Sequence, residues 1–380
     1  MRRASGSAPS IVLIGCAVAC GGNGDGASSG SGATGAAGAG GSTSASSSVA
    51  GSSGGSSGTG GSPQGGGAGT DQGGGAGTAQ GGTDSLGLVP VVAGCPVFTA
   101  DDAWNTDVSE YPADADATAR LRALVGDVMI HPDYGNDGDT QYGIPFNVVP
   151  ENQPLAPVSF DAYPEESDPG PYPFPDADTA DVEGFSPTEC DGDCHLLVVA
   201  EGACMLYEGY ACQYENDGWH CSSGASWELE RNSYGQRPEG WTSADAAGLP
   251  ILPGLLRYDE VARGEIHHAL RFTLPCTTDR YVAPATHFAV PGSCDADDPN
   301  APPMGLRVRL QADFETSEFP ADARAVLEAM KRYGMILADN GSSFYFQGEA
   351  HPDWSEQQIE PLKDVPASAF EVVMTLGPGP

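Results

Sequence analysis

The pattern of apolar and polar positions changes sharply near residue 88. Beyond it, 266–274 and 306–314 alternate apolar and polar residues with the period of a strand, and 195–200 is a continuous apolar run that predicts a buried strand. Turn-forming residues separate these segments. The same reasoning predicts further strands at 142–149, 204–210, 225–230, 335–338, 343–347 and 370–375.

Two segments carry helical spacing instead. Residues 114–125 predict a short helix, and 320–333 predict a longer one that Pro320 opens and Gly334 ends. Asn340-Gly341 predicts a tight turn between two of the strands. Because strands dominate and do not alternate with helices, we expect a mainly β domain. Its expected form is an antiparallel β-sandwich or jelly-roll-like fold with one or two packed helices.

The N-terminus has the pattern of an export signal. Arg2 and Arg3 precede an apolar stretch at 11–19 that is too short to span a bilayer. Residues 1–20 are therefore interpreted as a lipoprotein signal peptide with lipidation at Cys20, although Cys16 or an ordinary secretory signal also fits. Because Gly21 follows, we expect an outer-membrane protein attached by its lipid, facing either the cell surface or the periplasm.

Residues 21–87 consist almost entirely of glycine, serine, alanine and threonine. Such a segment has few apolar side chains to bury and cannot offset its conformational entropy. We predict a disordered tether there, followed by a globular domain at 88–380. The tether is either a spacer that lifts the domain from the membrane or neutral low-complexity sequence.

The chain carries a net charge of −36. A field of this sign repels phosphate backbones and excludes nucleic acid as a partner. The chain also lacks Walker and dinucleotide-binding motifs, which argues against nucleotides, and it lacks a G-x-S-x-G motif, which argues against a serine hydrolase. Neutral substrates fit this charge best. We expect a monomer that contacts the membrane only through its lipid anchor.

Eight of the ten cysteines lie in the domain, and in an exported protein they predict four disulfides. Local spacing suggests Cys212–Cys221 and Cys276–Cys294, which leaves Cys190–Cys194 and Cys95–Cys204 by elimination. A zinc site at Cys190, Cys194 and His195 is the alternative, but export favours oxidised cysteines over thiolate ligands.

The segment GWTSADAAGLPILPGLLRYDE at 240–260 is the most distinctive block of the domain. Together with CPVF at 95–98 and YGIPFNVV at 142–149, it resembles an uncharacterised family of secreted bacterial and fungal proteins. The resemblance implies no catalytic residues. Physically, Pro250 and Pro253 prevent a regular helix or central strand, so the block predicts a buried or pocket-lining loop.

Carboxyl groups near this block are candidates for acid/base chemistry, because glycoside hydrolysis requires two of them. The candidate catalytic residues are Asp245, Glu260, His268 and Asp339, and the candidate substrate-binding residues are Trp241, Tyr258, Arg271 and His287. Each also has a structural interpretation: capping, ion pairing, turn formation or core packing.

Metal binding has little support in the sequence, and no cofactor is expected. His195, His268 and His287 lack a metal-binding spacing. Residues 133–139 resemble a calcium loop, although Ile144 occupies the position where a glutamate is needed. Three functions therefore remain open. The first is a carbohydrate-active enzyme acting on a neutral polysaccharide, the second a glycan-binding lipoprotein without catalysis, and the third a structural envelope protein.

Overall fold

The computed structural model describes residues 89–374, except 138–139, 185, 191, 290–291, 293 and 295–297. The signal peptide, Cys20 and the tether predicted for 1–87 lie outside the described residues. Within the part described, the protein is mainly β. Its strands are β1 Val91–Val92, β2 Cys95–Pro96, β3 His131–Asp133, β4 Gly135–Asp137, β5 Thr140–Tyr142, β6 Phe146–Val149, β7 Val158–Phe160, β8 Leu196–Ala200, β9 Met205–Tyr210, β10 Gln213–Glu215, β11 Gly218–Cys221, β12 Ser223–Glu228, β13 Leu270–Leu274, β14 Arg307–Leu310, β15 Met335–Asn340, β16 Tyr345–Gln347 and β17 Phe370–Val372.

The described helices are short. They are α1 Ala115–Val125, α2 Tyr258–Arg263, α3 Ala321–Arg332 and α4 Glu356–Ile359. The two helices predicted from the sequence, α1 and α3, are confirmed. Asp114 caps α1 by accepting from the backbone N–H of Ala117 at 2.9 Å, which satisfies one of the unpaired amides of the first turn.

Two larger sheets organise the domain. One has the order β17-β14-β15-β13-β16-β3, and the other β12-β9-β8-β6. Both are mixed, since β13 pairs in parallel with β15, β16 with β3, and β6 with β8. The expectation of a purely antiparallel arrangement is therefore wrong at these pairs, and the strand orders are not clearly those of a jelly roll.

The four-stranded sheet separates two apolar cores. Leu197 and Val199 on β8 belong to the main core, whereas Leu196 and Val198 face a smaller core that includes Trp219. A strand covered on both faces needs apolar side chains on both, which explains the continuous apolar run at 196–200.

All four predicted disulfides are present: Cys95–Cys204, Cys190–Cys194, Cys212–Cys221 and Cys276–Cys294. This number of disulfides indicates an extracytoplasmic protein. It also uses the thiols that the alternative zinc site would require. No helix in the described part of the chain is both long enough and apolar enough to cross a membrane.

The predicted hairpin around Asn340-Gly341 is not formed. β13 lies between β15 and β16, in parallel with the first and antiparallel to the second. The Asn-Gly turn therefore carries the chain across β13 instead of joining two neighbours. This arrangement brings the end of β16 to the edge where β3 pairs, and the main cleft opens there.

Candidate functional site

A cleft of about 610 Å³ opens beside the edge of the six-stranded sheet. One wall comes from β3, β16 and the residues that follow β16, a second from the segment 180–184, and the floor from 142–146. Its polar side chains are Tyr142, Asp133, Asp181, Glu183, Gln347, Glu349 and His351.

Strand register places three polar residues on the first wall. Gln347 on β16 is paired with Asp133 on β3. Glu349 follows two residues later, so Gln347 and Glu349 project to the same side. The backbone N–H of Glu349 donates to Leu256 at 2.9 Å, and that of Ile144 donates to Gly348 at 3.0 Å. Neighbouring segments on both sides therefore hold this wall in place.

The floor of the cleft requires a glycine at position 143. Its φ of +111° lies in a region that side chains disfavour. A Cβ at this position would also lie 2.6 Å from the carbonyl oxygen of Gly348. The close approach of the floor to the first wall therefore depends on Gly143.

Glu349 is only 7% exposed on that wall. Its Oε1 accepts from the backbone N–H of Tyr258 at 2.6 Å. Burial raises the pKa of Glu349 to about 7, against the lowering effect of this hydrogen bond. The carboxyl group is therefore substantially protonated in neutral and mildly acidic solution.

Asp133 faces the cleft beside Glu349. Burial raises the pKa of Asp133. The Nε2 of Gln347 donates to its Oδ2 at 3.3 Å, and this hydrogen bond acts to lower the pKa. The carboxylate of Glu183 adds to the increase in the pKa of Asp133. Asp133 and Glu183 therefore interact electrostatically across the cleft.

Glu183, on the opposite wall, has the reverse behaviour. Burial acts to raise its pKa, but the charge and hydrogen bond of His195 outweigh burial and lower it. The two groups are 2.5 Å apart, from His195 Nδ1 to Glu183 Oε2, and the Glu183 side chain is 26% exposed. Burial alone acts to lower the pKa of His195, yet Glu183 raises it to about 9. The pair is thus an ionised glutamate supported by a buried imidazolium.

The backbone on both sides of Glu183 is fixed as well. Asn147 on β6 accepts from the N–H of Asp181 at 2.9 Å and donates to its carbonyl oxygen at 2.8 Å. The N–H of Glu183 donates to the carbonyl oxygen of His195 at 3.1 Å. These contacts position the Glu183 carboxylate without any regular element at 180–184.

Three residues singled out in the sequence meet in a second, buried group. Arg271 donates to both oxygens of Asp245, at 2.9 and 3.3 Å. Asp339 lies within electrostatic range of both, and burial together with the Asp245 carboxylate raises its pKa to about 7. Arg271 also acts on the pKa values of Glu183 and His195. This ion group therefore lies behind the cleft and does not line it.

Glu260 and His268 are close together but separate from the cleft lining. His268 Nε2 lies 3.0 Å from Glu260 Oε2, and Arg257 is 2.5 Å from the other oxygen. Burial acts to raise the pKa of Glu260, but Arg257 and then His268 lower it to about 2. Glu260, Arg257 and His268 therefore form a buried ion cluster at α2. Their strong polar contacts are with one another and not with the cleft.

The three aromatic candidates do not line the cleft. Tyr258 stacks on His351 with ring centroids 4.4 Å apart, so it supports the wall that carries Glu349. Trp241 packs under the guanidinium of Arg237 at 5.4 Å. His287 contacts the carbonyl oxygen of Ala246 through Nδ1 at 2.8 Å.

Side chains close enough to share a metal ion lie at a different position. Among the described residues, Glu215, Asp217 and His220 on the exposed β10–β11 hairpin form the one group spaced closely enough to hold an ion. His195, His268 and His287 have separate partners. Part of the calcium-like segment forms β3 and β4, and 138–139 lie outside the described residues. Calcium binding there stays a prediction.

The cleft carboxylates are not among the catalytic residues that the sequence predicts. Asp133 was noted only as a possible calcium ligand. Gln347 and Glu349 carried one usable signal, because the alternation of β16 continues into Gly348-Glu349 and puts both on one face. Glu183 has no periodic signal, since it lies in an irregular segment.

Comparison with known proteins adds no assignment. No family model, no curated protein and no solved structure matches this chain. The resemblance to a family of secreted proteins therefore stays a prediction. What the chain does must be inferred from the cleft itself.

Proposed function

We propose that the protein is a carbohydrate-active enzyme that hydrolyses a neutral polysaccharide by carboxylate acid/base chemistry in the cleft. The observation that carries the proposal is the contrast between Glu349 and Glu183. Two carboxyl groups share one cleft, and their surroundings shift their pKa values in opposite directions. Such a contrast assigns the acid and base roles of a catalytic pair.

In this mechanism Glu349 is the general acid. Its raised pKa keeps a proton available for the oxygen of the departing sugar. Glu183 is the ionised partner, which either activates water or attacks the sugar directly. Asp133 and Gln347 lie beside Glu349 and bind the substrate's hydroxyl groups. In this proposal, five residues predicted to act in catalysis or substrate binding have structural or electrostatic roles instead. They are Asp245, Asp339, Arg271, Glu260 and His268.

The proposed location follows from the N-terminal sequence. Lipidation at Cys20 and the tether predicted at 21–87 would hold the domain at the outer membrane, where polysaccharides are accessible. The antiparallel sandwich expected from the sequence is not needed for this function. A mixed, mainly β scaffold positions the cleft residues equally well.

A glycan-binding protein without catalysis is the second candidate. Tyr142 favours it, because this aromatic side chain lines the cleft and is 50% exposed. Exposed aromatic rings are suited to stacking on sugar rings. The enzyme requires the carboxyl pair for cleavage of the polysaccharide, whereas the binding protein does not cleave it at all.

The test is release of reducing ends from a panel of neutral, amino and acidic polysaccharides by the purified protein. Glu349→Gln and Glu183→Gln should each lower the rate by about 10²- to 10⁴-fold. Glu201→Gln, an exposed acid in the β8–β9 turn, is the matched control and should retain full activity. Retention on a polysaccharide affinity gel without release of reducing ends would favour the binding protein.

A further inference from the structure

A histidine lies on the same wall of the cleft as Glu349. The His351 side chain lines the cleft, and its ring stacks on Tyr258 with centroids 4.4 Å apart and ring planes within 4° of each other. Its Nδ1 accepts from the backbone N–H of Asp353 at 3.2 Å. Neither partner lines the cleft. The protein therefore fixes the orientation of this imidazole before a ligand enters.

The contact with Asp353 also determines which ring nitrogen of His351 carries the proton. A neutral imidazole has one nitrogen that donates and one that accepts. Because Nδ1 accepts from a backbone N–H, the proton lies on Nε2. Nε2 has no hydrogen-bond partner in the described part of the chain, and it is accessible to solvent. His351 therefore offers a fixed N–H donor that no described residue occupies.

Tyr258 holds His351 and Glu349 together. Its ring stacks on His351, and its backbone N–H donates to Glu349 Oε1 at 2.6 Å. Buried Trp354 packs edge-on against the Tyr258 ring, with centroids 5.2 Å apart, and its Nε1 donates to the carbonyl oxygen of Glu349 at 2.9 Å. The same support thus positions the proposed general acid and the imidazole. A sugar bound at Glu349 therefore lies beside this ring.

The cleft has many hydrogen-bond acceptors and few donors. Apart from the proton of Glu349, its carboxyl groups offer only acceptor oxygens, and the amide of Gln347 donates to Asp133. Among the described lining residues, the other side-chain donors are the hydroxyl of Tyr142 and Nε2 of His351. Sugar hydroxyl groups donate and also accept. A bound sugar therefore needs the donors that these two side chains provide.

We infer that His351 binds the substrate by donating from Nε2 to an oxygen of the sugar that lies beside Glu349. This inference rests on the proposed function, because it adds a substrate-binding residue to the same cleft. The hydrogen bond forms with the bound substrate and persists in the transition state. His351 therefore contributes to affinity, and it takes no part in proton transfer.

The test uses two variants that separate the donor from the ring. His351→Phe keeps a ring that stacks on Tyr258 but has no N–H, whereas His351→Gln keeps an N–H donor but loses the ring. Binding of hydroxyethylcellulose, xylan and galactomannan is measured by affinity electrophoresis, and their cleavage by release of reducing ends. His351→Phe should raise Kd and KM by about 3- to 10-fold, because one hydrogen bond is lost.

The kinetic constants distinguish binding from support of the wall. An interaction made equally with substrate and transition state changes KM and not kcat, so kcat of His351→Phe should stay within about twofold of the wild-type value. His351→Gln should raise Kd and KM less than His351→Phe does. The reverse order, with His351→Phe at the wild-type values and His351→Gln impaired, would mean that the ring only packs on Tyr258. That result would overturn the inference.

The matched control is His131→Phe. His131 also stacks on a tyrosine, Tyr345, with centroids 4.1 Å apart, but neither residue lines the cleft. This variant should bind and cleave as the wild-type protein does. If it weakens binding as much as His351→Phe, the effect does not come from the cleft donor and the inference is wrong.

The outcomes separate this inference from the proposed function. Release of reducing ends that is lost in Glu349→Gln but has wild-type KM in His351→Phe would retain the hydrolase and overturn the role of His351. Binding that depends on His351, without release of reducing ends, would support that role and overturn the hydrolase. No binding and no cleavage with any of the three polymers would overturn both.

Discussion

At the scale of single residues, the environment of a carboxyl group decides its chemistry. Glu183 and Glu349 are the same residue type in the same cleft, yet one is stabilised as an anion and the other as an acid. Burial acts to raise the pKa of both groups; His195 outweighs this effect at Glu183, whereas the backbone N–H of Tyr258 does not outweigh it at Glu349. A buried imidazolium stands behind Glu183, whereas Glu349 has a backbone N–H from Tyr258.

His195 therefore acts as a positioning residue, and replacing it should change the pH dependence of activity. His195→Asn removes the positive charge that opposes burial of Glu183, so the pKa of Glu183 should rise. The acid limb of the profile of kcat/KM against pH should move to higher pH, while the alkaline limb set by Glu349 stays in place. The measurement is this profile for the variant and the wild-type protein.

His220→Asn, on the exposed β10–β11 hairpin, is the control for this variant. It should have the wild-type profile. A His195→Asn profile that is lower at every pH but not displaced would mean that His195 serves stability alone.

Residue-level prediction from the sequence succeeded only in part. Asp245, Arg271 and Asp339 were selected individually, and the structure brings them together. Their connection to Glu183 depends on how the two larger sheets face each other, and no local pattern encodes that arrangement. Glu349 lies just beyond the end of β16, and no local pattern there indicates that the chain folds it into a cleft with Glu183.

At the scale of elements, local sequence signals predicted two of the four described α-helices and nine of the 17 described strands, but not the strand neighbours. Capping by Asp114 and the apolar run of β8 act within a few residues and were sufficient. The order β15-β13-β16 depends on long-range pairing, which the Asn-Gly turn does not reveal. β13 is buried on both faces, and Asp245 neutralises Arg271, which lies on it.

The disulfides should differ in their contribution to stability according to the loops they close. Cys95–Cys204 spans 109 residues and joins β2 to the turn before β9, whereas Cys190–Cys194 spans 4. Loop-closure entropy predicts a loss of about 4–5 kcal/mol when both cysteines of the first pair become alanine, and about 2 kcal/mol for the second pair. Denaturant unfolding of the two double variants measures this difference.

Cys190–Cys194 has a separate effect on the site, because Cys194 directly precedes His195. Replacing both cysteines with alanine should lower kcat/KM by more than the small loss in the free energy of unfolding would explain. Equal losses of stability for the two double variants would contradict the loop-closure explanation.

At the scale of the whole molecule, buried acids link stability to pH. Burial raises the pKa of Glu208 to about 7, although the backbone N–H groups of Leu252 and Ile251 donate to it. Asp339 and Glu349 also have pKa values near 7. The stability that these protonated acids contribute is complete below the pKa values that the same groups have in the unfolded chain. It is lost as pH rises through about 7. Glu260 behaves oppositely, since its contribution is lost as pH falls toward 2.

The unfolding temperature should therefore be highest near about pH 4–5 and should decrease by roughly 5 °C or more toward pH 8. Thermal unfolding followed by circular dichroism across this range is the measurement. Glu208→Gln should reduce the decrease, and the exposed control Glu201→Gln should not. A stability maximum above pH 7 would contradict this account of the buried acids.

The central claim, that Glu349 is the acid and Glu183 its ionised partner, is tested most directly by the pH profile of kcat/KM. A neutral oligosaccharide from the polysaccharide that the protein cleaves is the appropriate substrate, because its own charge does not change with pH. The account predicts that activity falls as pH rises through about 7, where Glu349 loses its proton, and that the residual activity of Glu349→Gln lacks this decline. Activity that stays constant through pH 7, or a decline that persists in Glu349→Gln, would contradict it.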